Sequence, residues 1–241
     1  MKKLLALLFL AASLFAGINF DGTDDHYTIS DTVDPTEYST GGWVCVDTLR
    51  VQTIVYRSDG GALPSSAFSH AIKMTNAWIF SGYAYDGGLN YVNGTTSISA
   101  GTWYHVMVTA KNSDFIRLYV NGVEEGTAES IGTLWTGGNR YLMGAANAET
   151  SNYFDGKTEG WCWWNKQLTA TEIAALAASR VAYHPTQVQP SSIRWFHPQD
   201  DFANGATVTG ASSIVDRSGV GMHGTPANSP TAQANQVQSY P

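Results

Sequence analysis

Two groups of side chains in this sequence could do chemistry. The first is aromatic. The stretch YAYDGGLNYVNG gathers Tyr83, Tyr85, Asp86, Asn90 and Tyr91, and Trp135 stands in the nearby LWTGGN segment. A sugar lays its C–H face on a Tyr or Trp ring while Asp and Asn bond its hydroxyls. These six residues are the candidate ligand-binding set. The second group is acidic. FDGTDD offers Asp21, Asp24 and Asp25, and a second FDG triplet at 154–156 carries Asp155. Hard carboxylate oxygens and backbone carbonyls suit Ca²⁺, with Asp21 and Asp155 as the candidate ligands. Each group also has a purely structural reading. Tyr83 and Tyr85 can be cross-strand packing in a hairpin. Asp21 and Asp155 can open turns with Gly22 and Gly156.

Catalytic constellations are missing from the sequence. Glycoside cleavage needs two carboxylates at a defined separation, and no E-x-D-x-E run occurs. Glu124 and Glu125 follow a turn and read as a solvated strand edge. The six histidines, 26, 70, 105, 184, 197 and 223, are scattered, and no G-x-S-x-G supplies an activated serine. No Cys/His spacing suggests zinc. The formal net charge is −7, and no basic run follows Lys2 and Lys3. Phosphate binding needs clustered cations, so nucleic acid is excluded as a partner.

The elements that must position these residues are strands. Charged residues make up only 14% of the chain and there are 24 glycines, a composition of short strands and tight turns. Period-two alternation marks 26–30, 42–48, 51–57, 77–85, 103–110, 115–120 and 160–165. In FIRLYV-NG-VEEGTAE, Ile116, Leu118 and Val120 point one way, and Asn121-Gly122 predicts a type I′ turn. Trp163 and Trp164 fall on opposite faces, so alternation allows at most one of them in the core. One helix is predicted after Thr169, with Glu172 completing a capping box. Met1 to Ala16, two lysines followed by an apolar run, reads as a secretory signal peptide. Cys45 and Cys162 read as buried free thiols, with a disulfide, which export would permit, as the alternative.

The order of these segments resembles a known family. INFDGTDDHYTI, GGWVCVDT, GTWYHVMVTAKNSDFIRLYVNGVEEGT and FDGKTEGWCWWNKQLTATEIAAL look like laminin G-like members of the concanavalin A-like lectin/glucanase superfamily, over about residues 18–178. The resemblance implies a jelly-roll of two curved antiparallel sheets. It implies that the first strand pairs near the last, bringing Asp21 and Asp155 to one edge where relatives hold a structural calcium. It places Trp103 and Trp161 in the core, with His105 as a structural imidazole beside it. Enzymes of the superfamily present paired acidic residues from one strand, and this sequence lacks that run.

The expected architecture is therefore all-β: a two-sheet antiparallel jelly-roll sandwich with one short helix and a C-terminal extension. Its parts are a signal peptide at 1–16, the sandwich at 17–180, a packed strap at 181–226 and a mobile tail at 227–241. The expected function is a noncatalytic extracellular glycan-binding or adhesive module, secreted or at the cell or virion surface. A structural surface protein that decorates a virion or cell envelope is the alternative, and a polysaccharide-cleaving enzyme ranks last. The expected partners are glycans or surface proteins, a homo-oligomer among them, with no stable membrane span beyond the leader. Structural Ca²⁺ is the only cofactor foreseen.

Overall fold

The computed structural model describes residues 17–59, 68–146, 152–178, 185–197 and 205–233. The expected leader lies outside them. In chain order the strands are β1 (Gly17–Asp21), β2 (His26–Ser30), β3 (Glu37–Val46), β4 (Gln52–Ser58), β5 (Phe68–Met74), β6 (Phe80–Tyr85), β7 (Leu89–Asn93) and β8 (Trp103–Lys111). They continue with β9 (Phe115–Val120), β10 (Val123–Ser130), β11 (Arg140–Met143), β12 (Asp155–Trp164), β13 (Ile193–His197), β14 (Thr225–Ala227) and β15 (Thr231–Gln233). Among the described residues one α-helix, α1, spans Ala170–Ala178, and one 3₁₀ turn spans Pro185–Gln187.

These strands form the two antiparallel sheets of a jelly-roll sandwich. The first sheet runs β10-β9-β8-β3-β12-β1-β15. The far edge of β12 is shared, with β1 on its first half and β13 on its second. The second sheet runs β14-β2-β11-β4-β5-β6-β7. Alternation decides what lies between them. Val106 pairs with Val120 and Val108 with Leu118, and with Ile116 these side chains are at most 2% exposed. Burying each contributes about 2 kcal/mol before chain entropy is counted. Trp161, Trp163, Trp195, Phe20 and Tyr141 join them in the same core. Val108 of the first sheet packs against Gly82 of the second, where a Cβ would lie 2.5 Å from a Val108 methyl.

Turns follow their chemistry. Asn121 and Gly122 both have positive φ, 50° and 82°, as a type I′ hairpin requires. Helix α1 packs on that turn, since a Cβ on Gly122 would stand 3.0 Å from Ala174 and Ala177. The capping box forms: Thr169 Oγ1 accepts the Glu172 N–H, and Glu172 accepts the Thr169 N–H at 2.8 Å. Cys45 and Cys162 are buried free thiols.

Several expectations are corrected here. Trp163 and Trp164 do point to opposite faces, yet both are fully buried. Trp163 enters the main core, while Trp164 enters a second core with Met107, Leu168, Ile173, Leu176 and Val188. Helix α1 and the following strap cover the outer face of the first sheet, so that face is not solvent. Trp103 is half-buried at the head of β8 rather than in the core. His105 is buried with its ring 5.1 Å from that of Trp43, and burial lowers its pKa to about 4, as a structural imidazole requires. The segment expected to be a tail from 227 includes β15, which pairs with β1. An open strand edge offers unpaired N–H and C=O groups that such a segment satisfies. Residues 234–241 lie outside the described residues.

Glu125 is not a solvated edge either. Its carboxylate accepts the N–H groups of Thr95 and Thr96 at 2.8 and 3.0 Å and the Thr96 hydroxyl. Glu129 accepts the Tyr91 N–H at 2.7 Å. Two carboxylates of β10 thus tie the edge of one sheet to the edge of the other. Asp216 performs a similar task in the C-terminal segment. It accepts backbone N–H groups of Phe196, Ser218, Gly221 and Met222 at 2.8–2.9 Å. Its burial would raise its pKa, but these donors outweigh that and hold it below the ordinary value.

Candidate functional site: a groove on the outer face of the second sheet

Strand register builds one row of outward side chains across the second sheet. Thr28 stands opposite Leu142, Leu142 opposite Tyr56, Tyr56 opposite Ala71, Ala71 opposite Tyr83 and Tyr83 opposite Tyr91. A neighbouring row carries Lys73, Ser81 and Asn93. The middle of this face is closed, because Tyr56, Ala71 and Leu142 pack under Ala145, Ala146 and Tyr153. Its β5–β7 end is different. Tyr83 is half-buried there and Tyr91 is 47% exposed.

An open groove of about 400 Å³ lies at that end, lined by Val51, Lys73, Asn76, Tyr83, Tyr91 and Asn93 among others. The Tyr83 and Tyr91 rings sit 5.8 Å apart at 32°. The Lys73 ammonium lies 5.1 Å from the Tyr83 ring centre and 5.8 Å from that of Tyr56, within range of a cation–π attraction. The Ser81 hydroxyl donates to Asn93 Oδ1 and fixes that amide on the strand. Burial lowers the pKa of Lys73. It raises that of Tyr83, against the opposing effect of the Ser81 hydrogen bond. It pushes Tyr56 up to about 12, with a smaller contribution from Asp59. Tyr83 and Tyr56 are therefore neutral hydroxyls at physiological pH.

The six ligand-binding candidates divide. Tyr83 and Tyr91 meet in the groove. Tyr85 is half-buried two residues further along the same strand, opposite Leu89. Asp86 and Asn90 organise the β6–β7 turn: Asp86 accepts from Asn90 Nδ2 at 2.8 Å, from the Gly88 N–H at 3.2 Å and from the Gly132 N–H at 2.6 Å. Burial would raise the Asp86 pKa, but these donors hold it down. The Trp135 N–H donates to the Tyr85 carbonyl at 2.8 Å, and its ring lies against Gly137. Neither Trp135 nor Tyr85 lines the groove. Sequence reasoning missed Lys73, because β5 was not expected to be a strand. A single lysine in the otherwise apolar run HAIKM was the available signal.

On the first sheet, Asp21 stands directly opposite Asp155 in the β1–β12 register. The carboxylates that cluster, however, are Asp21, Asp24 and Asp25, whose oxygens all lie within 4.8 Å of one another. Asp21 Oδ1 also accepts the Thr23 and Asp24 N–H groups at 2.8 and 3.4 Å, which is the turn-opening role. The Arg50 guanidinium sits beside Asp155, donating to the Gly22 carbonyl at 2.6 Å and the Tyr153 carbonyl at 3.3 Å. Asp25 is buried, and burial raises its pKa to about 6, partly offset by the Asp21 N–H it accepts.

Solved structures share this architecture at low identity. A heptameric SAP-like pentraxin from Limulus polyphemus is 18% identical; the match covers 70% of this chain and 84% of the pentraxin, with a TM-score of 0.59. The CBM40 of a Ruminococcus gnavus IT-sialidase, bound to alpha2,3 sialyllactose, is 12% identical over 68% of this chain and 97% of its own, with a TM-score of 0.56. Domain 4 of a Geobacillus stearothermophilus GH43 extracellular arabinanase, in complex with arabinotriose, is 19% identical over 67% and 76%, with a TM-score of 0.53. No curated protein matches the chain. Among the described residues, no helix is long and apolar enough to cross a membrane. The sequence model of the Laminin_G_3 family matches residues 21–174, more than half of the chain. The protein therefore belongs to the concanavalin A-like lectin/glucanases superfamily.

Proposed function

We propose that this protein is a noncatalytic glycan-binding module that works outside the cell, secreted or held at a surface, and that its sugar lies in the β5–β7 groove. The observation that carries the reading is the pair of tyrosine rings beside Lys73 and Asn93 at the open end of a face whose middle is covered. Stacked C–H contacts on tyrosine and a few fixed polar groups are what a shallow sugar site needs. The sugar complexes of the sialidase CBM40 and the arabinanase domain, which share this fold, support it. The groove lining includes no Asp or Glu, so the two carboxylates of glycoside cleavage have no seat there. A shallow site binds weakly alone, and several copies on one surface would raise its avidity.

An array of immobilised glycans tests this directly. Wild-type protein should retain a defined set of glycans, and Tyr91→Ala should release them without a change in melting temperature. Retention of every glycan by Tyr91→Ala would remove the groove from the account. Release of reducing ends from a bound polysaccharide would contradict the noncatalytic assignment.

The expected structural Ca²⁺ is carried forward as a proposal on Asp21, Asp24 and Asp25, whose oxygens are hard donors close enough to share one ion. Asp155 is left out of this set, because the Arg50 cation occupies its side of the seam.

A further inference from the structure

We propose that the β5–β7 groove takes an oligosaccharide chain rather than a single terminal sugar, and that the exposed ring of Trp78, in the β5–β6 turn at the groove's end, stacks a further sugar unit. This rests on the groove being a glycan site and goes beyond it by naming the kind of glycan and one more residue that binds it.

Trp78 stands in the turn that joins β5 to β6. Backbone bonds close this turn: the Trp78 N–H donates to the Thr75 carbonyl at 3.1 Å, and the Thr75 N–H donates to the Ile79 carbonyl at 3.0 Å. A short hairpin loop of this kind, a tight turn followed by one left-handed residue, favours glycine at the left-handed position. Here that position is held by Trp78, with φ of 57°. Any side chain with a Cβ is strained there, and a bulky one is an outlier. The surrounding structure enforces the conformation, because the Trp78 carbonyl accepts the Ile98 N–H at 2.8 Å. Burial does not offset the strain. Trp78 is 39% exposed, the most exposed of the eight tryptophans. Strain that packing does not offset is characteristic of positions kept for recognition.

The turn forms one end of the groove. Asn76, Ala77 and Ile79, on either side of Trp78, line it, and Tyr83 and Tyr91 line it further along the strands. From Ile79 to Tyr83 the chain runs four residues, about 13 Å at the usual rise of a strand, which is longer than one sugar ring. A sugar stacked on Tyr83 and Tyr91 therefore leaves the turn end of the groove to the next unit of a chain. That unit passes Ser81 and Asn93, which pair across β6 and β7. Beyond them Trp78, outside the lining itself, is the aromatic surface that the continuing chain meets. A tryptophan face offers the same C–H stacking as the two tyrosines, over a larger area.

The test is a set of length series: arabinose to arabinotetraose, glucose to cellotetraose, N-acetylglucosamine to chitotetraose, and sialic acid against sialyllactose. Each is titrated while tryptophan fluorescence is followed. In the series that binds, affinity should rise about tenfold once the chain reaches the turn, the size of one good stacking contact. The emission should change with that step. Trp78→Gly supplies the residue that the turn favours, so it should leave the melting temperature unchanged or raised. It should keep the affinity for the shortest sugar and lose both the tenfold gain and the emission change. Affinity that ignores chain length, or a gain that survives in Trp78→Gly, would overturn the inference while leaving a groove that Tyr91→Ala still empties. A large fall in melting temperature for Trp78→Gly would make the ring a packing group and overturn its assignment. Failure of the wild type to bind any glycan would overturn both the inference and the function it rests on.

Discussion

The outer face of the first sheet and the outer face of the second are written with the same alternation, yet they end differently. On the first sheet, Met107, Tyr119, Cys162 and Trp164 point away from the sandwich and are buried anyway, because Ile173, Leu176 and Val188 come down on them. Trp164 even donates its indole N–H to the Val188 carbonyl at 2.8 Å. On the second sheet, the covering residues Ala145, Ala146 and Tyr153 close only the middle. Beyond them Tyr83 and Tyr91 remain accessible around a cation. Outward aromatic residues are thus sealed on one face and left open on the other. What separates the two is whether the chain later returns to cover them.

That contrast can be broken by substitution. The largest effect is expected on the sealed face. Trp164→Ala removes a fully buried indole and its hydrogen bond, and should cost about 3–5 kcal/mol in urea or thermal unfolding, while the folded fraction keeps its glycan affinity. A loss below about 1 kcal/mol would mean that the helix and strap do not seal this face. Next is Asp216, which ties the strap's loop together through backbone donors. Asp216→Ala should cost about 2 kcal/mol or more at pH 7, since it leaves several buried N–H groups unsatisfied. Its folded pKa is depressed, so its contribution is present above the unfolded value and is lost as pH falls through the folded one. The wild-type and variant unfolding curves should therefore converge in acid, and a constant gap down to low pH would contradict this role.

On the open face the balance reverses. Tyr91→Ala should lower glycan affinity by about tenfold, on the order of 1.4 kcal/mol, yet shift folding stability by no more than about 0.5 kcal/mol. A large drop in melting temperature would instead make Tyr91 a packing residue. The smallest effect belongs to Asp25. Its folded pKa is raised to about 6, so the stability it lends in its protonated form is present at acid pH and lost as pH rises through about 6. Asp25→Asn should thus stabilise the protein at pH 7 by on the order of 1 kcal/mol, discounted for the solvent that reaches this rim. The gain should vanish near pH 4. Millimolar Ca²⁺ should raise the melting temperature of the wild type, reversibly with chelator, and Asp25→Asn should blunt that rise. Melting curves that ignore Ca²⁺ would leave the three aspartates to the turn.

Much of this was legible in the chain. The strands around Asn121-Gly122 and the Thr169–Glu172 cap follow local rules that need no distant partner. The pairing of Asp21 with Asp155 followed from family resemblance, since the two are far apart in sequence. The covering events were not legible. Alternation could place Trp164 on the outer face but could not say that Leu176 and Val188 would reach it. Lys73 escaped notice because a short strand with one charge carries little period-two signal, and only register across β4, β5 and β6 sets it between Tyr56 and Tyr83. Asp86 and Asn90 have the right chemistry for sugar hydroxyls, yet their oxygens and amides are engaged by the turn that their own sequence builds.

The most direct test of the contrast between the faces is to follow the backbone amide resonances while adding the glycan that the array selects. The account predicts shifts concentrated in β5, β6 and β7, from Lys73 to Asn93, with α1 and β13 silent. Shifts centred on α1 and the strap, with β5–β7 unmoved, would contradict it.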